Sequence, residues 1–291
     1  MEEIMKKIAI YSRKGGTTKT TSTFNIAGIL SKSYKKKVLV VDTDSQANLT
    51  ERFLKHDIEE RDGAEWLKNE VTLEDLFLSP EKVNEGIHNS LIQLREGLPA
   101  KKRGIDIIPI KPSEINPAPT LEDIEESLGK AIPNGQVSRM LSNIRRTRSH
   151  PYDYDYVIFD FSPSYNKVTR EVLTAADYIM VPCTLDVNSL DGVSQIIDAI
   201  NEIKANQNPD LKLIGFFLAM NNKTTAYDMQ MEQMIREALG DKCMDTVIRY
   251  NTEAKWSLHN GIPLTWYKRN GKLTQDYEEL VAEMLRKMDG E

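Results

Sequence analysis

Ile8-Ala-Ile-Tyr-Ser-Arg-Lys-Gly-Gly-Thr-Thr-Lys-Thr-Thr21 sets out, in order, the four ingredients that phosphate binding requires. Residues 7–12 form a short apolar run with the length and alternation of a buried strand. A tight Gly15-Gly16 turn follows, then Lys19 and Thr20, then a helix-like segment from Thr21 to about Leu30. The glycines let the backbone bend so that several N–H groups point into one concavity. The helix that follows adds its positive N-terminal end, and together they cradle a polyphosphate. Lys19 is placed to neutralise β- and γ-phosphate charge, and the Thr20 hydroxyl to ligate Mg²⁺. Gly15, Gly16, Thr17, Thr18 and Thr21 complete the expected cofactor-binding loop.

The spacing departs from the ordinary pattern G-x-x-x-x-G-K-[ST]: Thr18 precedes Lys19, and Arg13 stands six positions before it. It fits K-G-G-x-x-K-[ST], the deviant Walker A motif, with Lys14 as an additional lysine at its head. In this the chain resembles the ParA/MinD superfamily of dimerising ATPases, and within it the ParA-type (Soj-like) partition ATPases. Most members have glycine where Thr18 stands. A β-branched residue there is expected to adopt the position without positive φ, and fast turnover is not expected.

Two further motifs follow in the superfamily's order. Residues 38–42 read as a second buried parallel strand, and Asp42-Thr-Asp-Ser-Gln46 at its carboxyl end is similar to the pattern D-x-D-P-Q, with Ser45 in place of proline. By that resemblance Asp44 orients the attacking water and Asp42 reaches Mg²⁺ through its water shell, while Gln46 and Asn48 lie on a switch segment that senses the γ-phosphate. Residues 156–160 are an apolar strand closed by Asp160, the Walker B arrangement, which places Asp160 beside Thr20 at the metal. Asn221 ends the strand read over 211–220, where the family places base-recognition groups. Arg249, ending the strand over 244–249, is counted with it as cofactor-binding.

Composition narrows the remaining possibilities. With 291 residues the chain can bury a large core as one ATPase domain, 1–291, least typical between about 55 and 135. The expected fold is α/β: a P-loop NTPase-like three-layer sandwich whose central, mostly parallel twisted sheet has about seven or eight strands, flanked by helices. The net charge of -6 leaves no global basic field, so any DNA contact must come from a local patch. Cys183 and Cys243 lack metal-ligand spacing and read as reduced thiols. No stretch reads as a signal peptide or a membrane span, and the expected location is cytoplasmic, nucleoid-associated when ATP is bound. An acidic helix is expected over 120–130, a loop over 250–262 and a last helix over 274–288. Lys35-Lys36-Lys37 and the arginines at 139, 145, 146 and 148 read as solvated charge.

What the resemblance implies for mechanism centres on Lys14, which in the family crosses to the partner's nucleotide as an arginine finger does. Two protomers with ATP and Mg²⁺ between them then form an ATP-dependent homodimer that hydrolysis releases. The leading expectation is DNA segregation: the dimer binds nonspecific DNA and a ParB-type centromere-binding partner stimulates hydrolysis. Lys223, Lys255, Lys268 and Arg269 are the candidate DNA contacts. The alternative is an ATP-switched protein-cargo positioning or regulatory ATPase that does not bind DNA. A membrane-targeting reading lacks a basic amphipathic tail, and an electron-carrier reading lacks paired cluster cysteines.

Overall fold

The computed structural model describes residues 5–61, 63–92, 99–112, 115, 123, 131–151, 153–185, 189–221 and 226–290, with backbone alone at 189–191 and 220–221. Eight strands form one sheet: β1 (Lys6–Ile10), β2 (Val38–Thr43), β3 (His88–Ile92), β4 (Lys101–Ile108), β5 (Tyr156–Phe161), β6 (Tyr178–Thr184), β7 (Lys212–Asn221) and β8 (Cys243–Arg249). Their spatial order is β3-β4-β2-β5-β1-β6-β7-β8. All neighbours are parallel except β3 on β4.

Side chains of successive strand residues point to opposite faces, and here both faces are covered. Ala9, Leu39, Val41, Val157 and Phe159 enter one apolar core, while Ile8, Ile10, Val38, Val40 and Ile158 enter the other. This explains why the central strands read as continuous apolar runs rather than alternating ones. The second core is closed by α1 (Lys19–Lys32) and by the last helix (Lys272–Asp289). Helix α1 is buried around most of its circumference because it is packed between the sheet and the carboxyl-terminal helices. A Cβ added at Gly28 would stand 2.7 Å from Pro263, so glycine is what allows that approach.

The remaining described α-helices are α2 (Asn48–Phe53), α3 (Lys55–Glu60), α4 (Leu73–Leu78), α5 (Gln136–Ser142), α6 (Lys167–Ala175), α7 (Ser189–Asn206), α8 (Ala226–Leu239), α9 (Glu253–His259) and α10 (Leu264–Tyr267). The sheet and its helical layers match the expected three-layer α/β architecture. Strand β4 carries the antiparallel edge strand β3 beside it. One local reading changes. The stretch 250–262 holds helix α9 rather than loop throughout. Of the four clustered arginines, Arg139 lies on α5, whereas the other three follow it and Arg146 pairs with Asp153. The acidic helix expected over 120–130 falls, apart from Asp123, outside the described residues. Among those residues no helix is long and apolar enough to cross a membrane.

Candidate nucleotide-binding site

Strand register brings the motifs together. In the parallel ladders Ile10 of β1 and Asp42 of β2 both pair with Asp160 of β5, so the P-loop leaves β1 level with the two carboxylates. Their shared carboxyl edge lies where the strand order changes direction, the usual ligand position in open α/β sheets. A cleft of about 410 Å³ opens there, bounded on one side by the loop 15–21 and Asp44 and on the other by Arg249, Tyr250 and Lys255.

The P-loop lysine is turned onto its own loop. Lys19 is 6 % exposed, and its Nζ donates to the Lys14 carbonyl at 3.0 Å. Burial lowers its pKa, while the Asp160 and Asp44 charges act to raise it. The Thr17 hydroxyl donates to the same carbonyl at 3.2 Å. Apart from the chain neighbours, no heavy atom of the described residues lies within 4 Å of a Cβ built at Gly15 or Gly16, which leaves open space over the turn for a polyphosphate. Thr18 adopts φ 69°, ψ 17°, so the expectation of a negative φ is corrected. The turn into α1 requires a left-handed residue whatever its side chain. The Thr18 hydroxyl lies 3.3 Å from Ser22 Oγ, and Ser22 Oγ lies 3.3 Å from the buried Tyr277 hydroxyl. The second motif contains another left-handed residue, Ala47 at φ 52°, immediately before α2.

The carboxylates differ in how far they are satisfied. Asp42 is fully buried and accepts from the Thr50 backbone and hydroxyl, both at 2.8 Å, and from the Asp44 N–H at 3.1 Å. It thereby ties the switch segment to β2. Asp160, also fully buried, accepts from the Thr23 hydroxyl at 3.1 Å and has the Thr20 hydroxyl beside it. Its Oδ2 has no partner among the described residues. Burial pushes both pKa values up, with the neighbouring Asp160 charge adding to the rise at Asp42. A buried carboxylate oxygen without a donor is costly unless a cation meets it. The orphaned Oδ2 beside Thr20 therefore fits a divalent ion of the Mg²⁺ type, which takes few protein oxygens. Asp44 is 8 % exposed on the cleft wall, and its own Oδ1 accepts from the Gln46 N–H at 3.1 Å.

Comparison with known proteins agrees with this geometry: the AAA domain family matches residues 5–213. The chain belongs to that family, within the ParA/MinD superfamily. It is 26 % identical over 279 residues to the sporulation initiation inhibitor protein Soj of Bacillus subtilis, covering 96 % of this chain and 98 % of Soj. It is 26 % identical over 281 residues to the chromosome partitioning protein ParA of Caulobacter vibrioides, covering 97 % and 94 % of the two chains. The structure of cobyrinic acid a,c-diamide synthase from Mycobacterium smegmatis, with a bound ATP analogue and magnesium, superposes with a TM-score of 0.72 at 22 % identity, over 99 % of this chain and 96 % of that one.

In this ParA/MinD chain the loop 14–21, Asp42, Asp44 and Asp160 gather at one end of the sheet, and Arg249 and Lys255 reach the opposite rim of the cleft. Asn221 ends β7 at the same edge, with its side chain outside the described residues, as is all of Lys223. Lys268 is held by Glu253, and Arg269 lies at the far end of α1. Thr50 and Asp276 were not anticipated. Asp276, 5 % exposed, accepts the Arg249 guanidinium through two bonds of 2.6 Å and its backbone N–H at 3.0 Å. A carboxylate on the apolar face of the last helix was its signal: Asp276 and Leu280 are one helical turn apart. For Thr50, eight residues beyond Asp42, no pattern would have served.

Proposed function

We propose that this chain is an ATP-hydrolysing partition ATPase gated by nucleotide. It would dimerise around ATP and Mg²⁺, bind nonspecific DNA as the dimer, and be returned to monomer when a ParB-type partner stimulates hydrolysis. The observation that carries the reading is the buried Asp160 carboxylate beside Thr20, one oxygen of which is orphaned among the described residues, level with a P-loop whose lysine, among those residues, donates to a loop carbonyl alone. The partition role is supported by the similarity to the ParA protein of Caulobacter vibrioides.

Each residue then has a physical task. Lys19 exchanges its carbonyl partner for phosphate oxygens, and the loop N–H groups of 15–20 hold those oxygens at the amino end of α1. Thr20 and Asp160 would hold the divalent ion, and Asp42 anchors the switch segment through Thr50. Mg²⁺, when bound, supplies neutralisation of phosphate charge. Asp44 lies on the cleft wall where it can orient a water toward the terminal phosphate. Lys14 completes the partner's site, so that two bound phosphates are neutralised only when two protomers meet.

The test is phosphate release and binding to duplex DNA of arbitrary sequence with ATP, with ADP and without nucleotide. The proposal expects slow Mg²⁺-dependent hydrolysis, abolished in Lys19→Ala, and DNA binding with ATP alone. Hydrolysis and ATP-driven self-association without any DNA binding would favour an ATPase acting through protein contacts. No hydrolysis by the wild type would contradict both readings.

A further inference from the structure

Of the cations singled out for DNA in the sequence, the three that lie among the described residues do not form one surface. Lys255 lines the nucleotide cleft and Lys268 is paired with Glu253, whereas Arg269 faces a different group of residues. It borders a concavity of about 430 Å³ at the carboxyl end of α1, shared with Lys32, Tyr34, Lys35, Thr265 and Glu278. Three cations thus border the hollow together with one carboxylate, and Ser33 donates to that carboxylate at 3.4 Å. On a chain of net charge -6 this is a local inversion of sign.

Helix capping accounts for only part of the arrangement. Lys32 Nζ donates to the Thr265 carbonyl at 2.7 Å and lies 5.1 Å from the Trp266 ring centre, and Lys35 Nζ donates to the Lys32 carbonyl at 2.8 Å. Lysines are expected at a helix carboxyl end, but each ammonium has three donors, so donors remain on both. Lys35 is fixed in a left-handed conformation, φ 59°, which ends the helix and turns the chain at this rim. Arg269 lies outside any such cap: no hydrogen bond or ion pair engages it among the described residues. Burial, and then the neighbouring Arg269 and Lys35 charges, depress the pKa of Lys32.

We propose that this concavity is a phosphate-binding site for the backbone of duplex DNA, with Lys32, Lys35 and Arg269 as its ligands; the inference rests on the DNA-binding part of the reading above. It is separate from the nucleotide cleft, since Lys19 and Lys32 mark opposite ends of a 14-residue helix, roughly 20 Å apart at 1.5 Å per residue. An ammonium, a guanidinium and a tyrosine hydroxyl around one hollow suit a phosphate oxyanion. The rim of Ser33, Tyr34 and Glu278 presents no aliphatic side chain for insertion into lipid, which favours a nucleic-acid backbone over a membrane surface.

The test measures binding of the full-length protein, with ATP and Mg²⁺, to a labelled duplex of arbitrary sequence across a salt series. Neutralised phosphate contacts set the slope of log affinity against log salt. Lys35→Gln and Arg269→Gln are each expected to weaken binding and to lower that slope by about one. Arg269→Lys should keep the slope, and Lys268→Gln should leave it at the wild-type value. Melting midpoints of the variants verify that they are folded. Wild-type slopes in both charge-removing variants would place the DNA site elsewhere and overturn this inference while leaving the DNA reading intact. A wild-type protein that binds no duplex at any salt would overturn both. Binding to anionic lipid vesicles that depends on Arg269, without duplex binding, would assign the hollow to a membrane surface instead.

Discussion

Thr18 is where this P-loop departs most from what its side chains prefer. A β-branched residue at φ 69° occupies a left-handed region that costs an L-residue about 1–2 kcal/mol. Thr18→Gly removes that strain, at the cost of greater unfolded-chain freedom and of the contact with Ser22. A net gain of about 0.5–1 kcal/mol is expected in the denaturant midpoint of the nucleotide-free protein; a loss would show that the Ser22–Tyr277 link outweighs the strain. Asp160 gives a pH prediction. Its pKa is raised to about 7 by burial, so the folded state holds a proton that the unfolded chain has already released. The associated stability is fully present below the unfolded value of 3.8 and is lost as pH rises through about 7. Without divalent ions the melting temperature of the wild type should therefore fall relative to Asp160→Asn between about pH 5 and about pH 8. Mg²⁺ with nucleotide should reduce that fall. Parallel pH profiles for the two proteins would mean that Asp160 is not the titrating group.

At the scale of elements, the last helix works from both ends. Its first turns carry Asp276, which holds Arg249 at the rim of the cleft, and Tyr277, whose hydroxyl meets Ser22 behind the P-loop. Asp289 at the far end pairs with Lys6 at the start of β1. Asp276→Asn should lower stability by about 1.5–3 kcal/mol, the usual worth of hydrogen bonds to charged partners. It should also raise the KM for ATP more than it lowers kcat, because Arg249 loses its position while the catalytic loop is untouched. A fall in kcat at unchanged KM would contradict that assignment. The sequence revealed this helix by its apolar stripe, Tyr277, Leu280, Val281, Met284, Leu285 and Met288, of which all but the half-buried Leu285 are buried. It did not reveal what the first turn grips, because pairing between residues 249 and 276 is a tertiary fact with no local pattern. Edge strand β3 escaped notice for a related reason. It is short, only partly buried and bonded to one neighbour, so no continuous apolar run announces it.

For the whole molecule, the arrangement of the central strands was legible because each leads into one of the three motifs. Strand β1 runs into the P-loop, and β2 and β5 reach Asp42 and Asp160. Buried parallel strands carry their own signal, and ligand position follows from topology. The surface was less legible. Lys255, Lys268 and Arg269 look equivalent in sequence, yet one lines the cleft, one is neutralised by Glu253 and one faces Lys32 and Lys35. Charge on a surface acquires meaning only from its neighbours in space.

The central claim is that ATP joins two copies of this chain through Lys14. Sedimentation velocity of the wild type and of Lys14→Ala, with ATP and with ADP, tests it most directly. The account predicts a dimer for the wild type with ATP, a monomer with ADP, and a monomer for Lys14→Ala in both. A Lys14→Ala protein that dimerises on ATP as the wild type does, or a wild type whose mass ignores the nucleotide, would contradict it.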